Sequence, residues 1–259
     1  MATGIIGLLA GLLGGLAGIG GSMVMLPALH LVFGDEPASV HHLYMAAAMT
    51  VNILVSFPAA LRHYRARALR VDLLPLLLVS TGVAIIVGVL IGNLIPGDRL
   101  KLALAGFLGV YCLFNLVQVI RDVPEHELHE ERTGQRNLII SGSATGMIGG
   151  LLGLGGGVLL VPMLQMLCRV PLKKAIATSS AVICMTAIVG AGLKLASLPA
   201  DQSAGEALLL ALAMGPTAMI GGTLGAKLTH VLPARTMRIV ITILLAVVAL
   251  RLAEVPMGF

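Results

Sequence analysis

The stretch Gly14-Gly15-Leu16-Ala17-Gly18-Ile19-Gly20-Gly21-Ser22 recurs 135 residues later as Gly149-Gly150-Leu151-Leu152-Gly153-Leu154-Gly155-Gly156-Gly157. Leu26-Pro27-Ala28-Leu29 follows the first copy and Val161-Pro162-Met163-Leu164 the second, each proline standing six positions after the same glycine. Further on the offset becomes 132, which sets Ala46-Ala47-Ala48 against Thr178-Ser179-Ser180. Gly88 and Gly92 are then echoed by Gly221 and Gly225. The period is too long for a stacked solenoid. In an apolar chain it marks the two halves of a transporter.

The chain is apolar enough for that reading. Its 259 residues are 58% hydrophobic and 11% charged, whereas a soluble domain carries about 25% charged residues. Runs at 71–96, 100–120 and 236–250 approach or exceed the ~20 residues that a membrane-crossing helix needs. The expected fold is therefore an all-α polytopic membrane protein with eight hydrophobic segments. They lie at 4–33, 42–61, 71–95 and 100–120, then at 138–168, 174–198, 206–229 and 234–252. Residues 1–120 form the first transmembrane repeat, 121–136 a polar cytoplasmic linker and 137–259 the second repeat. The N-terminal run has neither a basic leader nor a cleavage site and reads as mature sequence. The net charge of +5 is assigned to basic cytoplasmic loops, not to nucleic acid binding. Cys112, Cys168 and Cys184 lie in or beside apolar runs and read as packed small hydrophobes.

The first segment of each half is about 31 residues long, or about 46 Å as one helix, against a hydrocarbon core of about 30 Å. Its glycines, with a proline within two turns, are where it breaks. Charge counting separates eight simple crossings from a pair of re-entrant hairpins. Simple crossings leave nine Lys/Arg on one side and eight on the other. Re-entrant first segments put thirteen on one side (Arg62 to Arg70, Arg121 to Arg136, Arg169 to Lys174 and Lys227 to Arg238). Only Arg99, Lys101, Lys194 and Arg251 remain opposite. A hairpin plus three crossings is an odd number of traverses, so the halves become inverted repeats, with a substrate site at their interface.

A helix broken inside a membrane presents unpaired N–H groups and the positive end of its dipole, which suit an anion. The candidate substrate-binding residues are Gly20, Gly21 and Ser22 in one half and Gly155, Gly156 and Gly157 in the other. Glycine allows close approach of the backbone to an oxyanion. Thr178, Ser179 and Ser180, with Thr50 and Asn52 on the equivalent helix, add hydroxyl and amide donors. Arg62 and Lys194, 132 residues apart, are read as cationic gates on opposite faces; the alternative is snorkelling to the interface. No Asp or Glu sits in the interior of a span, Asp72 and Glu206 each only beginning one. That favours an anionic or neutral substrate over a cation. No catalytic residue, metal site, cofactor or nucleotide motif is read, so the chain is not expected to be an enzyme.

The motifs at 15–29 and 150–164, with Ala177-Thr178-Ser179 and Gly221-Gly222-Thr223-Leu224-Gly225-Ala226, resemble the sulfite exporter TauE/SafE family over nearly the whole chain. The resemblance implies a multi-pass inner-membrane exporter of sulfite or a related sulfur-containing anion. Ser22 stands where the family has a third glycine, and Ala46-Ala47-Ala48 where it has hydroxyls, which shifts the expected coordination toward the second half. The expected partners are a small anion and the lipid bilayer, with homo-oligomer formation left open. An anion channel is the alternative, followed by a membrane-embedded thiol or sulfur-handling protein with Cys184 or another cysteine at the substrate. The charge split places both termini outside and Gln135 inside. A Gln135→Cys variant is thus expected to resist impermeant maleimide in intact cells and to label once the membrane is opened; labelling in intact cells contradicts the re-entrant topology.

Overall fold

A computed structural model describes residues 2–34, 39–120, 131–157 and 159–233, together with 236, 239, 240, 242 and 243. The described residues contain helices and no strand. Helix α1 spans Ala2–Ala17 and α2 Ser22–Phe33, the break falling on the glycines that the sequence marks. Then come α3 (Val40–Arg65), α4 (Leu74–Asn93, entered through a 3-10 turn at Val71–Leu73) and α5 (Gly97–Ile120). The second half has α6 (Gln135–Leu151), α7 (Leu160–Met166), α8 (Leu172–Ala196) and α9 (Ala204–Val231). Four stretches are long and apolar enough to cross a membrane: Val40–Arg65, Val71–Asn93, Leu172–Ala196 and Ala204–Val231. Residues 121–130, most of the expected linker, and most of the last expected segment lie outside the described residues.

Two helix starts follow the dipole rule. Asp98 and Glu206 sit in the first turns of α5 and α9, where the helix dipole favours a negative charge. These positions keep the carboxylates at segment ends.

Packing is set by glycine. Helix α6 runs beside α4, with Gly142, Gly146 and Gly150 facing Thr81, Ile85 and Val89 in turn. Helix α1 runs beside α9 in the same manner, Gly7, Gly11 and Gly15 facing Met214, Ala218 and Gly222. The first segment of each half thus lies along a crossing of the other half. Small residues let the backbones approach within van der Waals contact, the main source of helix association in lipid. Large apolar side chains such as Val83, Leu90, Leu209 and Leu212 point outward, toward the hydrocarbon that a spanning helix meets.

Hydrogen bonds place the end of α7 relative to α6. The Arg132 N–H donates to the Cys168 carbonyl at 2.7 Å, and Asn137 Nδ2 to the Leu167 carbonyl at 3.1 Å. The chain that leaves α7 is therefore beside the start of α6. One end of the bundle gathers Arg62, Arg70, Arg132, Lys173 and His230. There Arg70 pairs with Asp72 and Glu131, and the hydrogen bonds it donates, to Asp72 first and then to Glu131, push its guanidinium above its ordinary pKa. The other end holds His30, His41, His42, Asn93 and Lys194.

A Cβ at Gly150 would lie 2.5 Å from the Ile85 carbonyl oxygen, whereas none of its neighbours comes within 4 Å of one at the exposed Gly106. Gly150→Leu is expected to destabilise the solubilised protein by roughly 2 kcal/mol or more. Gly106→Leu is expected to be neutral or mildly stabilising. Thermal unfolding of the two variants in one detergent checks the contrast.

Candidate anion site at the two glycine turns

Gly18 and Gly20 have φ of +64° and +77°, and Gly153, Gly155 and Gly156 have +70°, +69° and +83°. Residues with a Cβ rarely adopt this region, so both turns depend on glycine. The turns meet each other around one side chain. A Cβ on Gly20 would stand 2.9 Å from Asn52 Oδ1, and one on Gly155 would stand 2.6 Å from Asn52 Nδ2. Asn52, on α3, is fully buried between them.

Every hydrogen-bonding direction of that amide is used. Its Oδ1 accepts from the N–H groups of Gly21 at 2.7 Å and Ser22 at 3.0 Å. Its Nδ2 donates to Ser22 Oγ at 2.9 Å and to the Leu154 carbonyl at 3.3 Å. Ser22 Oγ donates in turn to Leu154 O at 3.0 Å, so the first turn is tied to the second. Asn52 acts as an N-cap supplied from another helix: its oxygen satisfies two of the N–H groups that α2 leaves open. An anionic oxygen has the same acceptor chemistry and a stronger attraction to the helix dipole.

The second half is built differently. Helix α7 begins at Leu160, so Gly155, Gly156 and Gly157 lie in the turn ahead of it and are not its first N–H groups. The Gly157 carbonyl accepts from Leu160 N at 3.2 Å. The residue 132 positions after Asn52 is Cys184, which is buried and offers no amide. The cap therefore belongs to the first half alone.

The hydroxyl cluster divides by helix face. Ser179 Oγ donates to the Gly18 carbonyl at 2.6 Å and lies 3.4 Å from the Gly157 carbonyl, bridging the turns. Thr178 Oγ1 donates to Lys174 O and accepts from the Arg70 N–H, toward the arginine-rich end. Ser180 and Thr50 bond their own preceding turns, at Ile176 O and Ala46 O. Thr186 is an addition that the sequence reading missed: its Oγ1 bonds Val182 O and lies 3.4 Å from Gly155 O. Its signal was present, since it stands seven residues after Ser179 on the same helical face.

The expected gates are placed unequally. Arg62 lines a cleft of about 610 Å³ between the ends of α3 and α9, with Arg65, Lys227 and His230. Lys194 has no exposed surface at all and does not snorkel. Its Nζ is 2.6 Å from His42 Nδ1 and donates to Asn93 Oδ1 at 2.5 Å. Cys168, in the turn after α7, is fully buried, with its Sγ 3.9 Å from Ser141 Oγ.

Comparison with known proteins gives this arrangement a family: residues 3–252 match the profile described as sulfite exporter TauE/SafE. The chain belongs to that family. It is 25% identical over 97% of its length to the probable membrane transporter protein MamO of Magnetospirillum gryphiswaldense, of which it spans 44%. A probable membrane transporter protein of Methanocaldococcus jannaschii is 25% identical, with 95% of this chain and 92% of that one aligned. The probable membrane transporter protein YunE of Bacillus subtilis is 25% identical over 96% of this chain and 95% of its own. No solved structure matches. Family and apolar helices together make this TauE/SafE member a multi-pass membrane protein of a transporter family.

Asn52→Ala would leave two buried N–H groups and the Leu154 carbonyl without this partner, at about 1–3 kcal/mol for each group left unsatisfied. It is expected to lower the unfolding temperature in detergent by several degrees. Thr50→Ala, which removes only a bond to the preceding turn, is expected to leave it nearly unchanged.

Proposed function

We propose that this protein is a secondary transporter that exports sulfite or a related small sulfur-containing anion across the cytoplasmic membrane by alternating access. The observation that carries the reading is the Asn52 amide oxygen resting on the N–H groups of Gly21 and Ser22. This is a buried oxyanion position, next to a second glycine turn, occupied by an exchangeable neutral acceptor. The substrate anion takes the place of Oδ1 on the helix end. Ser22, Ser179 and the Gly155 to Gly157 turn surround it, and Arg62 supplies positive charge on the inner approach. Thr178 and Ser180 support the helix and lie outside this shell.

In this reading the chain is two inverted repeats, residues 1–120 and 137–259, joined by the linker at 121–136. The hydrogen bonds that return α7 to the start of α6 support a re-entrant second segment. The exchanged packing of α1 on α9 and of α6 on α4 supports the symmetry between halves. Alternating access is favoured by the contrast at equivalent positions, Arg62 in an open cleft and Lys194 sealed. The inner cleft is then the open one. A channel with the same helix-end chemistry needs no such alternation.

Counterflow in proteoliposomes tests the reading: a saturating internal anion should drive uptake of the same labelled anion, with sulfite, thiosulfate, sulfoacetate and taurine tried in turn. Saturable counterflow by at least one of them is expected, and linear flux without exchange would favour the channel. Gly156→Val, which cannot hold φ of +83° without strain, should reduce counterflow at least tenfold while the protein still extracts as a folded species.

A further inference from the structure

The end of the bundle opposite Arg62 holds a set of buried basic groups that the anion site does not use. Lys194 is fully buried, and His30, His41 and His42 are each 5% exposed or less. Lys194 Nζ lies 2.6 Å from His42 Nδ1, and His41 Nδ1 lies 2.8 Å from His30 Nε2. The rings of His41 and His42 meet edge to face. No carboxylate forms an ion pair with Lys194 among the described residues. An ammonium has donors only, so the short contact requires His42 Nδ1 to be an acceptor and its ring to be neutral. His42 on α3 and Asn93 at the end of α4 thereby hold the last turn of α8 against both helices.

This contact is what separates the two ends. Arg62 precedes Lys194 by 132 residues and lines an open cleft, while Lys194 is clamped. We infer that Lys194, His42 and Asn93 form a latch that shuts the outer cleft, and that a proton bound from the outer side at His42 Nδ1 releases it. The inference rests on the inverted-repeat reading above. The proton comes from external water, and the Lys194–His42 hydrogen bond is the bond that breaks. Two adjacent cations without a counter-ion then repel each other and draw water into the cleft. The surrounding groups set the balance. At His42 the charge of Lys194 opposes an added proton; at the neighbouring His41, His30 from α2 and Lys101 from α5 do so, and Tyr44 and Asn93 are neutral. A hydrogen bond with the Ile95 backbone favours the proton at His42 first, and Asp201, in the loop before α9, adds its field there. Hydrogen bonds from Ser39, then Gln202, hold its carboxyl below the usual range, so it stays ionised at the mouth. Stability of the closed latch is therefore present at neutral external pH and lost as the pH falls.

The test is labelling of a buried reporter, Ala191→Cys, by impermeant maleimide from outside right-side-out vesicles, with Cys112, Cys168 and Cys184 replaced by Ser. Rates are divided by those of the exposed Ala204→Cys at the same pH, which removes the intrinsic pH dependence of the thiol. Between about pH 8 and about pH 5, a range that spans the ordinary imidazole pKa, the normalised rate is expected to rise at least fivefold. His42→Asn keeps an acceptor for Lys194 but cannot take the proton, and should abolish the rise. A flat profile with native His42 overturns the inference, and so does a full rise in His42→Asn. The readout needs no substrate, so failure of counterflow would remove the transporter reading without deciding the latch.

Discussion

A backbone N–H group that opens a helix inside a membrane has no water to turn to, and each one left unpaired costs several kcal/mol. The break between α1 and α2 creates such groups at Gly21 and Ser22, and the amide oxygen of Asn52 satisfies both. Around that contact the rest is arranged. The same amide reaches Leu154 in the other half, and Ser22 does so too, so the two glycine turns are held as one unit. An arrangement that must be satisfied for stability, yet by a neutral group, is suited to exchange: an anion offers the same N–H groups a stronger acceptor. In the proposed function, stability and binding thus draw on one set of atoms.

The glycines serve two physical purposes that their composition alone would blur. At Gly18, Gly20, Gly153, Gly155 and Gly156 the backbone is left-handed, and the turn would be strained with any side chain. At Gly11, Gly15, Gly146 and Gly150 the backbone is helical, and the missing Cβ lets a neighbouring helix come into contact. The first group shapes the site and the second fixes the frame that carries it. In the proposed cycle, any movement must carry each glycine turn together with the helix on which its first arm packs, α9 for α1 and α4 for α6. The unequal ends, an open cleft at Arg62 and a clamp at Lys194, are one position of such a movement in the proposed cycle.

Much of this was legible in the sequence. The duplicated glycine motif located both turns, because a conformation that only glycine tolerates leaves a mark in composition. Asn52 stood out as an amide in an apolar run, but its role did not: the expectation was a donor, and its oxygen turns out to be the acceptor for residues 30 and 31 positions away. The hydroxyls were grouped as Thr178, Ser179 and Ser180, yet successive helical residues point about 100° apart, so only Ser179 reaches the turns. Thr186 was missed for the complementary reason, being distant in sequence and close on the helix face. The extended equivalence of the halves also overreached. Glycines preceding α7 were read as its first N–H groups, whereas the helix starts at Leu160. Burial of Lys194 depends on partners from two other helices, which no local pattern encodes.

The central claim is that the transported anion and the Asn52 oxygen compete for one place. An experimental structure determined with a transported sulfur-containing anion bound tests it most directly. The account predicts an anion oxygen within hydrogen-bonding distance of the Gly21 and Ser22 N–H groups, with the Asn52 oxygen displaced from both. An anion bound elsewhere, with Asn52 still capping α2, would contradict it.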